Sequence, residues 1–283
     1  MPLPTGPKHV HAYVLESDDG PVLVDTGFGG VEWPKVAAIV VTHMHPDHVG
    51  GAAEAAEQTR AEVHQGALDY AQTERVWGSD DWPERMATWF TSHGVPAEST
   101  NELIEQGHAF TPSIRFQRAP ALLYEGSSVG GWAVVELPGH ADGHIALERD
   151  GVLVCGDVLL ETITPAVGLY PESRPDPLGV YLRTLERIAE LAPRIAYPGH
   201  GEPLEDPAGR ARELIAHHAR RLEQTEQALA GTAFEISHRL FPHAKAPTQR
   251  RFAVAETLSH LERLVAEGRA RRSNGRPVSY DPP

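Results

Sequence analysis

A single cysteine, Cys155, stands in this chain of 283 residues, so no intrachain disulfide can form and a reducing compartment costs the fold nothing. No apolar run approaches the ~18 to 20 residues needed to cross a bilayer, and Met1 to Ser17 has neither a basic start nor an apolar signal core. A cytoplasmic protein without a membrane partner is therefore expected. Aromatic residues amount to only 7%, and charged residues to 23% beside 41% hydrophobic ones, a balance that excludes extended disorder and fibrous repeats. Positive charge is scarce in the first 206 residues, where 12 Lys and Arg face 31 Asp and Glu; such a surface repels a polyanion. Residues 207–283 reverse the sign, with 13 against 8, inside a net charge of −14.

Histidine, by contrast, is plentiful, with 16 residues. It is the commonest metal ligand and the side chain that moves protons near neutral pH, so its clustering matters. The early chain reads as short strands between turns: Val10 to Leu15, Pro21 to Asp25, and Val36 to Val41, the last apolar on both faces as in a covered central strand. Ala-rich, Glu-bearing residues from His48 to Arg60 favour helix, and helical stretches from about Trp82 to Phe90 and Pro96 to Gln106 mark an insertion over 80–107. Strand signals return at Trp132 to Leu137, Ile145 to Glu148, Val152 to Cys155 and Arg194 to Tyr197. Between the last two, Leu178, Leu182, Leu185, Ile188 and Leu191 recur at helical spacing. After Pro207 three helices are expected, over about Ala208 to Leu229, Thr232 to Leu240 and Phe252 to Glu267. Asn274-Gly275 between two extended segments then signals a hairpin. The expected division is residues 1–206 as a catalytic domain and 207–283 as a small helical domain of winged-helix outline.

The chemistry gathers at Thr42-His43-Met44-His45-Pro46-Asp47-His48, where an apolar strand runs into a helix. Alternate residues of an extended segment point the same way, so His43 and His45 can share one metal, while Asp47 and His48 swing to a neighbouring position as the chain turns. Three further strand ends carry a glycine beside a ligand-type residue: Gly139-His140, Gly156-Asp157 and Gly199-His200. Glycine permits the sharp turn and close backbone approach such a placement needs. Five imidazoles and two carboxylates suit borderline or hard divalent ions, Zn²⁺ foremost with Mn²⁺ or Fe²⁺ as alternatives.

This motif, its order and its strand-end setting resemble the metallo-β-lactamase superfamily, whose signature is His-x-His-x-Asp-His followed by separate His, Asp and His. The resemblance covers most of residues 10–206 and implies an α/β fold, an αββα sandwich with two metals at one sheet edge. It assigns His43, His45 and His140 to the first ion and Asp47, His48 and His200 to the second, with Asp157 bridging. An aspartate bridge and the late histidine are more similar to the glyoxalase II and broad hydrolase branches than to secreted β-lactamases. Cys155, on a strand two residues before Asp157, is not taken as a ligand. The end of the chain, with His217-His218-Ala219-Arg220-Arg221 on a long helix, resembles cytosolic hydrolases of this superfamily that include a lactamase-β-like ribonuclease. No counterpart of the glutathione-binding basic pair of glyoxalase II stands out.

Two ions sharing a water would turn it into a hydroxide at neutral pH, with no serine or cysteine nucleophile needed. Asp47 and Asp157 are then the catalytic carboxylates, Asp47 orienting the water or shuttling its proton. The first expectation is a hydrolase of a small acyl substrate, thioester or lactone, whose anionic tail could meet the basic C-terminal part at Arg220 and Arg221. Rivals are a phosphodiesterase acting on single-stranded RNA, disfavoured by the acidic catalytic part, and a mononuclear-iron redox enzyme, disfavoured by the full seven-residue set. Asp25 reads either as a partner to a ligand histidine or as a turn residue. His144 and His218 read as packed histidines, and His11, His64, His93 and His108 as ordinary ones. Trp77, Trp82, Trp89 and Phe90 could line a substrate mouth or pack the insertion. Arg269, Arg271, Arg272 and Arg276 on the hairpin read as solvated charges.

Overall fold

The computed structural model describes residues 2–4 and 9–283. Two five-stranded sheets form its middle. The first runs Tyr13–Leu15, Val22–Val24, Ala38–Val41, Glu62–Gly66, Ala121–Leu123 in spatial order; its first pair is antiparallel and the rest are parallel. The second runs Ile195–Pro198, Val152–Gly156, Ile145–Arg149, Trp132–Glu136, Ser128–Val129, antiparallel except for the first pair.

Strand alternation sorts the apolar residues into layers. Val22, Val24, Ala38 and Val40 of the first sheet face Trp132, Val134, Ile145, Leu147 and Val154 of the second. The residues between them point outward: Leu23, Ile39 and Val41 meet Val49, Ala52 and Ala55 of the helices Pro46–Val49 and Ala52–Thr59. On the far side Val135, Ala146, Leu153 and Cys155 are covered by Leu178, Leu185 and Ile188 of the helix Pro177–Leu191. The result is the expected αββα sandwich.

Two connections decide what lies above the sandwich. Helix Pro207–Gln227, capped by Asp206 with Pro207 in its first turn, joins the outer cluster of the second sheet through Ala211, Leu214 and Leu222. The insertion folds as the helices Trp82–Ser92 and Ala97–Phe110, and Met86 and Phe90 share a core with Val254, Leu258 and Leu261 of the helix Pro247–Ala266. That last helix begins five residues before Phe252, where Pro247 supplies a preset φ and Gln249 Oε1 accepts from the Ala246 N–H. The terminal strands Arg271–Arg272 and Ser279–Asp281 pair as expected, with Gly231–Thr232 on the other edge of Ser279–Asp281. Their connection is wider than a two-residue Asn-Gly turn. Neither Asn274 nor Gly275 has the positive φ such a turn requires, and Ser273 closes the loop by pairing with Ser279.

The strand Glu62–Gly66 and the helix Ala67–Val76 are not apparent from sequence. The strand has one aliphatic side chain, Val63, and the helix lacks a marked apolar face. No helix among the described residues is long and apolar enough to cross a membrane.

Candidate metal centre

All seven residues singled out at strand ends meet at one edge of the sandwich. Ligand-type atoms of His43, His45 and His140 lie within 4.8 Å of one another; so do those of Asp47, His48 and His200, and those of His43, His48 and Asp157. His43 Nε2 and His45 Nδ1 are 3.0 Å apart. Asp157 faces three histidines, with Oδ1 3.5 Å from His48 Nε2 and Oδ2 3.8 and 3.5 Å from His140 Nε2 and His200 Nε2.

Four of the five imidazoles are held from behind. The Nδ1 of His140 donates to the Ala166 carbonyl at 2.8 Å, and that of His200 to the His9 carbonyl at 2.7 Å. His48 Nδ1 donates to Asp25 Oδ2 at 2.8 Å. His43 Nδ1 lies 3.0 Å from Thr42 Oγ1, whose hydroxyl donates to Asp25 Oδ2 at 2.8 Å, while the Thr42 N–H donates to Asp25 Oδ1 at 2.8 Å. These bonds fix the tautomers and leave four Nε2 atoms turned inward. A ligating histidine needs that outer support. Asp25, buried and at φ +61°, is thus a partner of His48 and not merely a turn residue.

His48 Nε2, His140 Nε2 and Asp157 Oδ1 are buried and have no hydrogen-bond partner in the structure. Unpaired polar atoms that converge on one point are costly unless something binds there, and this donor set fits one or more divalent ions. Electrostatics points the same way. Burial, reinforced by neighbouring imidazoles, pushes His43 well below the usual range and His45 to about 3. Burial would raise the Asp47 carboxyl, but His48 and His200 bring it down to about 2; the histidines around Asp157 likewise outweigh its burial and hold it low. His48 moves oppositely, because Asp157, Asp25 and Asp47 together outweigh its burial, so an ion bound there displaces a proton.

Two glycines show why these turns need that residue. A Cβ on Gly199 would collide with Asp157 Oδ1 and His48 Cε1. Gly156 takes φ +48°, and a Cβ there would press on Thr42 and His144. His144, read as structural, stacks on His43 with centroids 4.8 Å apart and accepts the Asp157 N–H at 3.2 Å.

Sequence reasoning missed Asp69. Fully buried, it accepts the Met44 N–H at 3.0 Å and so pins the backbone between His43 and His45; burial pushes its carboxyl up to about 7 against the hydrogen bonds from Gln65 and Met44. Its only signal, one acid in an unmarked helix, was too weak to find. His218 packs against Tyr181 and His260, as expected of a core histidine. His108 pairs with Glu84, and His93 is buried against Trp89.

The centre opens into a cavity of about 880 Å³, reached by His45, Asp47, His140, Asp157 and His200. Its other walls are mostly apolar. Trp77, Trp82, Met86 and Phe110 come from the insertion side, and Thr248, Arg251 and Phe252 from the helix Pro247–Ala266. Of the four aromatics read as either mouth or core residues, Trp77 and Trp82 line the cavity, Trp77 Nε1 donating to the Met44 carbonyl at 2.7 Å. Phe90 is instead buried in the core, and Trp89 packs beside it. Arg220 and Arg221 do not reach the cavity; Arg221 lies over the Phe241 ring, 4.7 Å from its centroid.

Residues 5–200 match the model of the metallo-beta-lactamase superfamily, and residues 221–280 match that of the metallo-beta-lactamase-like C-terminal domain. A crystal structure of a metallo-beta-lactamase family protein from Thermus thermophilus superposes with a TM-score of 0.86 at 37% identity, covering 100% of this chain and 97% of that one. A probable metallo-hydrolase of Bacillus subtilis is 29% identical over 84% of this chain and 77% of its own length. A hydroxyacylglutathione hydrolase of Methylobacillus flagellatus is 28% identical over 79% of this chain and 70% of its own.

Proposed function

The chain belongs to the metallo-β-lactamase superfamily and is a metal-dependent hydrolase; from that premise we propose that it holds two divalent ions and hydrolyses a small acyl substrate, a thioester or lactone. The observation that carries this reading is the continuity of the seven-residue cluster with a mostly apolar cavity. Such a chamber suits an acyl chain and offers little to a ribose-phosphate backbone.

His43, His45 and His140 would hold one ion, Asp47, His48 and His200 the other, and Asp157 would bridge. When bound, such ions supply Lewis acidity and bring the pKa of water from 15.7 to about 7. The chain's own residues do the rest. Asp25 and Thr42 keep His43 and His48 in their inward tautomers, and His144 holds the Asp157 backbone. Asp47, ionised and facing the cavity, is placed to take a proton at Oδ1, since its Oδ2 lies 3.1 Å from His200 Nε2. The apolar walls exclude bulk water and strengthen these interactions.

Support against a nucleic-acid substrate comes from the C-terminal arginines. Of the four on the hairpin, Arg269 pairs with Glu226 and Glu267 and Arg272 with Glu262, so two of the four charges are partnered within the fold. Metal analysis of purified protein, then hydrolysis assays with thioesters, lactones, β-lactams and single-stranded RNA, tests the proposal. About two ions per chain and turnover confined to acyl substrates are expected; one ion at saturation, or turnover of RNA alone, overturns it.

A further inference from the structure

Two adjacent arginines on the helix Pro247–Ala266 have opposite fates. Arg250 is consumed by the fold, donating to the Phe241 and Ala244 carbonyls and to Ser237 Oγ. Arg251 faces the cavity and makes no hydrogen bond or ion pair among the described residues. Its Nε is buried without a partner, and its guanidinium lies over the Phe252 ring, 4.8 Å from the centroid.

Among the described lining residues Arg251 is the sole Lys or Arg, and the nearby carboxylates are already engaged. Glu172 pairs with Arg85. Asp142 accepts from Gln72 Nε2 at 2.9 Å and from the Arg174 N–H at 2.8 Å. Burying Arg251 Nε without a partner costs free energy that the contact with the Phe252 ring offsets only in part, so a ligand anion is a natural partner for the guanidinium. Thr248, in the first turn of the same helix, also lines the cavity, where the positive end of the helix dipole adds to the field.

The rest of the wall describes the remainder of that ligand. Phe110, Ile163 and Phe252 line the cavity while remaining 41%, 42% and 47% exposed, which leaves an apolar rim around a mouth that leads inward to Trp77, Trp82 and Met86. An apolar body would cover these side chains, and a single anionic group would meet Arg251.

We infer that Arg251 is a specificity-determining residue, recognising one carboxylate or phosphate on a substrate whose body is apolar. The inference rests on the acyl-hydrolase reading for the identity of the scissile bond, but not for the recognition itself. The anion could sit on the acyl half or on the leaving half, and the two sources are separable by assay.

Three thioesters test it: the hexanoyl and adipoyl esters of N-acetylcysteamine, and the hexanoyl ester of 3-mercaptopropionate. The expected result is a lower KM for one or both carboxylate-bearing esters. Arg251→Gln should raise that KM by about 10- to 100-fold with kcat and the uncharged ester little changed, and Arg251→Lys should fall between. Whichever carboxylate ester shows the effect identifies the half that bears the anion. Independently of hydrolysis, the thioether 3-(hexylthio)propionate and its amide can be titrated by tryptophan fluorescence. Wild type should prefer the acid and Arg251→Gln should not. If no thioester turns over but this binding preference holds and is lost in Arg251→Gln, the thioester form of the acyl-hydrolase reading fails and the recognition stands. An anion preference that survives in Arg251→Gln, or equal weakening for charged and uncharged probes, overturns the inference.

Discussion

One wall of the cavity is built from strand ends and the other from helices, and the two obey different constraints. On the strand side, side chains are fixed by turns, by buried carboxylates such as Asp25 and Asp69, and by backbone carbonyls, with little room to repack. On the helical side, contacts among the insertion and the helix Pro247–Ala266 are apolar and non-directional, and several lining residues stay partly exposed. On the proposed function, reaction type would reside in the strand-end wall and substrate choice in the helical one. A change on the first should cost turnover or metal; a change on the second should move KM.

The largest effect should come from Asp157→Ala, which removes the carboxylate facing three histidines. We expect a loss of activity beyond about a hundredfold and a fall in bound metal, read by elemental analysis at matched circular dichroism. Retained two-ion content would break the assignment of Asp157 as the shared ligand. Next, Asp25→Ala should cost about 10- to 100-fold in metal affinity or activity, since it frees His48 and Thr42 without removing a ligand. A loss equal to that of Asp157→Ala would erase the distinction between ligand and support. On the helical side, Phe252→Ala removes a half-exposed ring at the mouth; KM for an apolar acyl substrate should rise about threefold to tenfold with metal content unchanged. A fall in kcat with constant KM would show that the two walls are not separable. The smallest effect belongs to Arg272→Gln, which breaks a partly exposed pair with Glu262 and should lower stability by at most about 1 kcal/mol in denaturant titration. Salt-sensitive binding of RNA by the wild type, abolished in this variant, would restore a nucleic-acid role for the hairpin.

The same division explains what could be read in advance. His43, His45, Asp47 and His48 are local in sequence, and their strand-to-helix setting follows from the apolar run ahead of them; the three Gly-flanked residues His140, Asp157 and His200 carry their own turn signal. The sandwich was legible because the motif's resemblance to the superfamily implied it, and the unbroken apolar run from Val36 to Val41 agreed with a central strand covered on both faces. The helical wall was not, because its cavity depends on which helix lies over which. Nothing in Arg250-Arg251-Phe252 tells that one arginine caps carbonyls while its neighbour faces a chamber, and Arg220 and Arg221 looked equally suitable on charge alone. Asp69 escaped for a related reason: its importance lies in a hydrogen bond to a residue 25 positions away.

The His9 carbonyl that orients His200 ties the beginning of the chain to the last of the seven ligands, and the His11 N–H to Gly199 carbonyl bond reinforces the tie. During synthesis, therefore, the centre cannot close until residue 200 has left the ribosome and returned to a strand made at the outset. On the proposed two-ion reading, capture of a full metal complement is in this sense a late event, and the ions would act as a checkpoint on completed topology.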